Sequence, residues 1–290
     1  MPELPEVETV RRDLDPFLRG RVVGSVSVTH DRAVRRQPHA DFVAALGARQ
    51  FVDVRRHGKF LIVDLEGGDA LVIHLRMSGQ LRVGGPADEV LKHTHVVVDL
   101  DNGTQLRFVD PRTFGEMFVD AVDSDGRPHA LRALGPDAVN DRLTAAAFHA
   151  RLLGGRTTST VKAALLDQNT IAGVGNLYAD EALFAARVHP KRLASSISVE
   201  EATALRKELR RILTAAIKAR GSSFADEGYV DAYGNPGGFA LRHQVYGRAG
   251  AACPRCRNVI EKTVVAQRGT HFCPSCQPVA TIRERAGSAR

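Results

Sequence analysis

Four cysteines form the group in this sequence whose chemistry is clearest. All of them lie between positions 253 and 276, in two C-x2-C pairs separated by sixteen residues. A pair at this spacing presents two thiolates from one tight turn, and two such pairs complete the closed tetrahedral shell of a structural zinc ion. Disulfide frameworks scatter their cysteines along the chain instead. We therefore predict one structural Zn²⁺ ion, bound by Cys253, Cys256, Cys273 and Cys276.

The N-terminal stretch MPELPEVETV is a second candidate for chemistry. Removal of Met1 would leave Pro2 with a free secondary amine, and α-amino groups titrate near pH 7.7–8.0, so part of this amine is neutral at physiological pH. Such an amine can attack an aldehyde-level carbon to give a cationic iminium, and Glu3 lies beside it as a proton donor. The same stretch also suits an ordinary helix start, because Pro5 fits a first turn and acids there favour the helix dipole. The dipole favours a charged Glu3, whereas a general acid must hold its proton, so these residues alone leave both interpretations open.

The elements that would position these groups change in character along the chain. Residues 5–19 have apolar side chains at helical spacing, and Gly20 follows as a helix-ending glycine. From about residue 21 to 120 the sequence consists of short β-rich segments separated by Gly, Asp or Asn. The dipeptide Asn102-Gly103 is typical of a hairpin turn. We predict an N-terminal helix followed by an antiparallel β-sandwich or barrel.

The second half of the sequence is helical in pattern. Several segments bury an apolar stripe at helical spacing, and the turn NTIAGVG separates two of them. This turn fits a helix-turn-helix that docks phosphate, and it equally fits a plain helical hairpin. The predicted divisions are a helix-plus-sandwich domain, a linker, a helical domain, a zinc ribbon and a flexible tail, over residues 1–125, 126–135, 136–247, 248–277 and 278–290.

Composition limits the classes of protein and partner. The 290 residues are 43% apolar, which supports a packed core in one large or two ordinary domains. Lys and Arg number 40 against 33 Asp and Glu, and the resulting net charge of +7 suits a polyanionic partner without requiring one. No apolar run reaches the length of a membrane span, and no signal-peptide pattern opens the chain. We expect a cytoplasmic protein with no membrane partner.

Taken in order, the motifs resemble those of one family. PELPEVET, RRHGKFL, HLRMSG, DPRTFG, LLDQNTIAGVGNLYADE, QVYGR and the terminal zinc ribbon are similar to the motifs of formamidopyrimidine-DNA glycosylases. The resemblance extends from residue 2 to about 277. It implies an α+β fold with an N-terminal antiparallel β-sandwich that begins with a catalytic helix. A C-terminal helical domain would follow, with a helix–two-turn–helix and a four-cysteine zinc finger.

The resemblance also implies a reaction. Pro2 would attack C1′ of an oxidised purine nucleotide, such as 8-oxoguanine or a formamidopyrimidine, and form a Schiff base. Glu3 would protonate the opening sugar, and Glu6 would support the same pocket. The iminium would then allow β- and δ-elimination of the abasic strand. The resemblance also implies that Lys59 and Arg268 belong to the catalytic residues.

Further residues are implied as contacts to damaged double-stranded DNA. Met77, Arg112 and Phe114 match the residues that fill the space of an extruded base, a task suited to a thioether, a guanidinium and an aromatic ring. Loop 221–239 would recognise the base. The positions that would contact DNA are His74, Met77, Arg112, Phe114, Lys162, Asn176 and Arg268.

Two positions depart from the family pattern, and two other functions compete. Thr113 stands where many relatives have a second arginine, and Arg76 replaces a glycine found in some. An endonuclease VIII-like enzyme acting on oxidised pyrimidines is the first alternative, although such enzymes typically begin PEGPE and lack the Met-Arg-Phe trio. A catalytically inactive DNA-binding module is the second, and it would require the loss of Pro2 or Glu3. We expect a nucleoid-associated monomer with no small-molecule cofactor.

Overall fold

A computed structural model describes residues 2–154, 158–224 and 228–279. The chain divides into two compact units. The first comprises residues 1–140, 171–173 and 213–242, and the second comprises residues 141–170, 174–212 and 243–290. Residues 280–290 of the predicted tail and residues 225–227 of loop 221–239 lie outside the described part. No described helix has the length and apolar character needed to cross a membrane.

The first unit begins with helix α1 (Leu4–Leu18), as the apolar spacing predicts. Its core-facing residues recur at helical intervals, and Val7, Val10 and Leu14 are buried in the main core. After the helix, Gly20 adopts a φ of +79°, a left-handed conformation that glycine takes at little steric cost. The helix therefore carries the N-terminal residues on an element fixed by its own apolar face.

Two four-stranded antiparallel sheets follow, and they confirm the predicted sandwich. In spatial order the first sheet contains β1 (Val23–Val28), β6 (Thr94–Leu100), β7 (Gln105–Val109) and β5 (Gln80–Gly84). The second contains β2 (Phe51–His57), β3 (Phe60–Leu65), β4 (Asp69–His74) and β8 (Glu116–Ala121). Buried side chains of both sheets share one core with α1 and α2 (His39–Leu46). The predicted Asn102-Gly103 turn joins β6 to β7, with Gly103 at φ +78°.

Part of loop 221–239 belongs to this core. The side chains of Tyr229 and Ala232 are buried in the same apolar cluster as α1 and the sheets. The backbone amide of Val83 in β5 donates to the carbonyl of Ala232 at 3.2 Å. The described portion of the loop is therefore packed as a structural element of the first unit.

The second unit is helical and ends in a hairpin. Its helices are α3 (Ala145–Leu153), α4 (Val161–Leu166), α5 (Asn176–Ala185) and most of α6 (Val199–Lys218), which continues into the first unit from residue 213. The hairpin consists of β9 (Glu261–Val265) and β10 (Arg268–Phe272), paired antiparallel. A small core joins the hairpin to α5 through Phe184, Ile260 and two of the cysteines.

Candidate functional site

Pro2 and Glu3 lie at the start of α1, and both are buried. Glu3 is the N-cap residue and is only 3% exposed. Its backbone amide donates to Oε2 of Glu6 at 2.9 Å, and the amide of Leu4 donates to the carbonyl of Gly173 at 3.1 Å. Gly173 is at φ +103°, and a Cβ there would lie 2.4 Å from Cδ1 of Leu4. The first residues of the chain are therefore held in place by the helix they begin and by a close backbone contact.

Glu6 also connects α1 to loop 221–239. Its Oε1 accepts a buried hydrogen bond from the amide of Ser222 at 2.8 Å. Gly221 has a φ of +81°, and a Cβ there would lie 2.8 Å from the same oxygen. The hydroxyl of Tyr229 donates to the backbone carbonyl of Glu6 at 3.4 Å, and burial raises the pKa of Tyr229 above its usual range. One carboxylate thus joins the N-terminal residues to the start of the loop.

An ion-pair network fixes the loop at a second point. The guanidinium of Arg220 donates to Oδ2 of Asp13 in α1 at 2.7 Å and also to Asp231. The same Asp13 oxygen accepts from the amide of Ala232 at 3.3 Å. Sequence reasoning missed these residues, because Asp13 and Asp231 lie 218 positions apart and no local pattern links them.

Lys59 lies in the tight turn between β2 and β3. Gly58 is at φ +58°, its amide donates to Oδ2 of Asp137 at 2.9 Å, and its carbonyl accepts from Nη1 of Arg56 at 2.8 Å. The fully buried guanidinium of Arg56 also binds Glu8 and Asp137. Burial alone would raise the pKa of Asp137, but hydrogen bonds and charge from Arg56 outweigh it and hold that pKa below its usual value. This buried network sets the position of the turn that carries Lys59.

His74, the last residue of β4, is held as a neutral imidazole. Burial lowers its pKa to about 3, and the nearby charges of Arg76 and Lys59 act in the same direction. Nδ1 accepts a hydrogen bond from the backbone amide of Arg76 at 2.9 Å, so the neutral ring carries its proton on Nε2. An imidazole in this form is a hydrogen-bond donor without a charge.

Met77, Arg112 and Phe114 are exposed on the surface of the first unit. Met77 is 40% and Phe114 is 42% exposed, which is unusual for large apolar side chains. The Arg112 guanidinium carbon lies 5.1 Å from the centroid of the Phe114 ring. Judged by residue type alone, Met77 and Phe114 would be expected in the core, and their exposure sets them apart from core residues.

In the second unit, Lys162 is completely buried. Its ammonium donates to Oδ1 of Asp180 at 2.6 Å and to the hydroxyl of Thr270 at 2.7 Å. Asn176, the first residue of α5, donates from Nδ2 to the carbonyl of Gly269 at 2.9 Å. Both residues therefore bind the hairpin strand β10 to the helices. A direct contact between Lys162 and DNA stays a prediction, since the described contacts of its ammonium are within the protein.

Arg268 begins β10 and is exposed, next to the backbone groups that Lys162 and Asn176 bind. It pairs in register with Val265 across the hairpin. The hairpin is fixed further by the amide of His271, which donates to Oδ2 of Asp180 at 2.8 Å. The structure thus presents one cationic side chain on a rigidly held strand.

The four cysteines form one cluster beside the hairpin. Their sulfur atoms all lie within 4.8 Å of one another. Two of the cysteines are buried, and the amide of Arg255 donates to Sγ of Cys253 at 3.4 Å. Four convergent sulfurs match the closed tetrahedral shell of structural zinc, with no position left for a substrate.

Three family models match the chain. The model of the formamidopyrimidine-DNA glycosylase N-terminal domain matches residues 1–117, the model of the formamidopyrimidine-DNA glycosylase H2TH domain matches residues 134–227, and the zinc finger found in FPG and IleRS matches residues 250–279. The chain belongs to the formamidopyrimidine-DNA glycosylase family. The resemblance seen in the sequence motifs is confirmed, and so are the predicted fold class and the structural zinc ion.

Individual relatives are similar over nearly their whole length. Formamidopyrimidine-DNA glycosylase of Symbiobacterium thermophilum is 46% identical over 279 residues, which cover 96% of this chain and 90% of the relative. The crystal structure of the MutM (Fpg) protein of Thermus thermophilus superposes with a TM-score of 0.83 at 43% identity, covering 95% of this chain and 98% of that one. Lactococcus lactis Fpg, in a complex with DNA that contains an abasic site, gives a TM-score of 0.87 at 33% identity and covers 96% and 100%.

Membership of the formamidopyrimidine-DNA glycosylase family decides two questions that the sequence left open. The segment from α4 through the turn to α5 lies within the H2TH match, so it is not a plain helical hairpin. The chain also belongs with the DNA glycosylases of DNA repair, the enzyme class that the motifs predicted, rather than with a family of DNA-binding modules.

Proposed function

We propose that this DNA glycosylase excises oxidised purines, namely 8-oxoguanine and formamidopyrimidines, from double-stranded DNA and then cleaves the abasic strand. The observation that carries the proposal is the buried Pro2–Glu3 terminus, joined through Glu6 to the start of loop 221–239. In the family resemblance this loop recognises the base. The Glu6 carboxylate contacts both the N-terminal residues and the loop that would recognise the base. This arrangement suits an enzyme that must act only when the right base is present.

The reaction would begin with the neutral secondary amine of processed Pro2 attacking C1′. The bond from C1′ to the base breaks, and the base leaves with a proton. Glu3 protonates the ring oxygen as the sugar opens, which leaves a cationic iminium between Pro2 and C1′. The iminium acidifies the C2′ proton, so loss of that proton breaks the C3′–O bond by β-elimination. A second elimination breaks the C5′–O bond, and hydrolysis releases Pro2.

The remaining predicted residues would bind the DNA. Met77, Arg112 and Phe114 would fill the space left by the extruded nucleotide. Lys59, His74 and Arg268 would contact phosphates, with Asn176 and Lys162 beside Arg268 in the second unit. The protein would act as a monomer on damaged duplex, and its zinc ion would stabilise the hairpin that carries Arg268.

The test is covalent trapping. The protein is incubated with a duplex containing 8-oxoguanine opposite cytosine in the presence of borohydride, which reduces an iminium to a stable amine. We expect a cross-linked product, and mass spectrometry of its peptides should place the adduct on residue 2. Pro2→Gly, or a form that retains Met1, should give strongly reduced cross-linking.

Pro5→Ala is the matched control, because Pro5 lies in the same first turn of α1 and has no free amine. It should cross-link like the natural protein. A duplex with an oxidised pyrimidine is run in parallel, and preferential excision of that base would favour the endonuclease VIII-like alternative. No adduct from a protein whose N-terminus is shown to be processed would reject the proposed mechanism.

A further inference from the structure

Asp110, the residue that follows β7, connects two separate surface loops. Its carboxylate is 0% exposed. Oδ1 accepts from the hydroxyl of Ser78 at 2.5 Å and from the amide of Arg112 at 3.2 Å. Oδ2 accepts from the amide of Gly115 at 2.7 Å. Ser78 adjoins Met77, and Arg112 and Gly115 lie on either side of Phe114 in the other loop, so this one buried carboxylate binds both loops that carry the exposed apolar side chains.

The topology explains why such a connection matters. The loop with Met77 leads from β4 to β5, and the loop with Phe114 leads from β7 to β8. Strands β4 and β8 are neighbours in one sheet, and strands β5 and β7 are neighbours in the other. Each loop therefore crosses from one sheet to the other, and they cross side by side. Two direct contacts join them: the hydrogen bond between Ser78 and Asp110, and an ion pair at 3.2 Å between Arg76 and Glu116, the first residue of β8. Of these two, only the Ser78–Asp110 contact is buried at the Asp110 carboxylate that also binds Arg112 and Gly115.

Both loops also contain a strained backbone position. Arg76 has a φ of +54° and Thr113 a φ of +53°, in the left-handed region that residues with a side chain rarely adopt. Such conformations are unfavourable for residues with a side chain and persist where the surroundings hold them. The amide of Thr113 donates to the backbone carbonyl of Asp110 at 3.2 Å, so this residue holds one of the two strained turns directly.

In addition to these hydrogen bonds, close packing restricts the conformations of the two loops. A Cβ at Gly79 would lie 2.6 Å from the carbonyl oxygen of Leu75, and a Cβ at Gly115 would lie 2.6 Å from the ring of Phe108. The backbone of Asp110 is also committed, because its amide donates to the carbonyl of His93 and its carbonyl accepts from Nε2 of His95. Asp110 is thus anchored on the sandwich side and bonded to both loops on the other.

We propose that Asp110 is a positioning residue that holds Met77 and the Arg112–Phe114 pair as one preformed wedge, with Ser78 as its hydrogen-bonding partner in the Met77 loop. The inference rests on the proposed function, in which these three side chains enter the duplex. A wedge whose parts are already aligned loses less conformational freedom on entering the base stack, so opening of the duplex is faster.

Ser78→Ala tests this hydrogen bond alone, because it removes one hydroxyl and leaves the Arg112 and Gly115 bonds to Asp110 in place. Duplex opening is followed by stopped-flow fluorescence of 2-aminopurine next to a tetrahydrofuran abasic analogue, a signal that needs no chemistry. We expect the fluorescence rise and the single-turnover excision of 8-oxoguanine to slow about tenfold, the effect of losing one charge-assisted hydrogen bond. Ser78→Thr keeps a hydroxyl and should restore both rates.

Cleavage of a single-stranded abasic oligonucleotide is the internal control, since a single strand has no stack to enter. Ser78→Ala should leave this rate unchanged, whereas general damage to the fold would lower it as well. Equal losses in all assays, or an unchanged fluorescence rise in Ser78→Ala, would overturn the positioning role. Failure of the natural protein to form the borohydride adduct with the 8-oxoguanine duplex would instead reject the Pro2 mechanism, and the fluorescence assay would still decide the role of Asp110.

Discussion

Glu6 and Ser222 lie 216 positions apart in the sequence, and a buried 2.8 Å hydrogen bond joins the carboxylate of one to the backbone amide of the other. Because the second carboxylate oxygen accepts from the amide of Glu3, Glu6 requires two acceptor atoms at once. A carboxylate meets this requirement and a carboxamide does not. The chemistry of residue 6 is therefore set by the two segments it joins.

Glu6→Gln should reduce both stability and excision. The side chain keeps its size, but its NH₂ group must face one of the two backbone amides. We expect a loss of about 1–3 kcal/mol in the free energy of unfolding, the usual cost of an unsatisfied buried group. Single-turnover excision should slow as well, because Glu3 loses its fixed position. Denaturant unfolding and quenched-flow kinetics measure the two effects.

Glu66→Gln is the control for loss of a negative charge, since Glu66 is exposed just after β3. It should behave like the natural protein in both measurements. If Glu6→Gln has the same unfolding free energy and excision rate as the natural protein, the hydrogen bond to Ser222 contributes to neither.

Arg56 and its neighbour Arg55 should differ greatly in their contribution to stability. Arg56 is fully buried between Glu8 and Asp137, so Arg56→Met removes the buried cation that both carboxylates bind, although Glu8 also pairs with Arg11 and Arg12. Removing one partner of a buried pair costs about 3–5 kcal/mol. Arg55 forms a partly exposed pair with Asp64, and Arg55→Met should cost at most about 1 kcal/mol. Urea unfolding of both variants provides the comparison, and equal losses would contradict the assigned network.

The sequence predicted the elements far better than their connections. The spacing of apolar residues in α1, the β-rich segments with the Asn102-Gly103 turn, and the cysteine pairs are all local patterns. Local backbone geometry dictates such patterns, so a single chain displays them. They were sufficient for the helix, the sandwich and the zinc site.

The buried polar contacts could not be predicted in this way. The Glu6–Ser222, Arg56–Asp137 and Ser78–Asp110 bonds join residues that are 32 to 216 positions apart. In RRHGKF both arginines suggest a basic surface strand, yet only the three-dimensional pairing decides which of the two faces inward. Lys162 likewise resembles a DNA contact, and its burial against Asp180 becomes visible only when α4 and α5 are placed together.

His74 should make stability depend on pH below neutrality. Its folded-state pKa of about 3 lies below the ordinary value of 6.5, so between these limits the unfolded state binds a proton that the folded state does not. Stability is unaffected above pH 6.5 and is lost as the pH falls through this window. At pH 5 the expected loss from this residue is about 2 kcal/mol.

His74→Gln should remove that part of the pH dependence, measured as the difference in unfolding free energy between pH 7.5 and pH 5. His129→Gln, at an exposed position, should keep the natural profile. Burial also lowers the pKa values of His189 and His243, but both titrate in all three proteins and cancel in the comparison. A natural pH profile in His74→Gln would show that the imidazole is not held neutral.

Arg268→Ala should weaken DNA binding in a way that depends on salt. If the guanidinium neutralises one phosphate, its removal lowers the slope of log K against log salt concentration by about one unit and weakens binding equally across sequences. The variant should fold normally, because the side chain is exposed and the hairpin is held by Lys162, Asn176 and the cysteines. Fluorescence anisotropy with duplex DNA at several salt concentrations measures the slope.

Lys262→Ala is the matched control, because it removes a cation from the other strand of the same hairpin. A phosphate contact involves a single side chain. We therefore expect the slope of log K against log salt concentration to fall by a full unit in Arg268→Ala and by less in Lys262→Ala. An unchanged slope in Arg268→Ala would reject its phosphate contact. Equal reductions in both variants would instead indicate a diffuse electrostatic effect of the hairpin, since summed surface charge attracts DNA without any specific pairing.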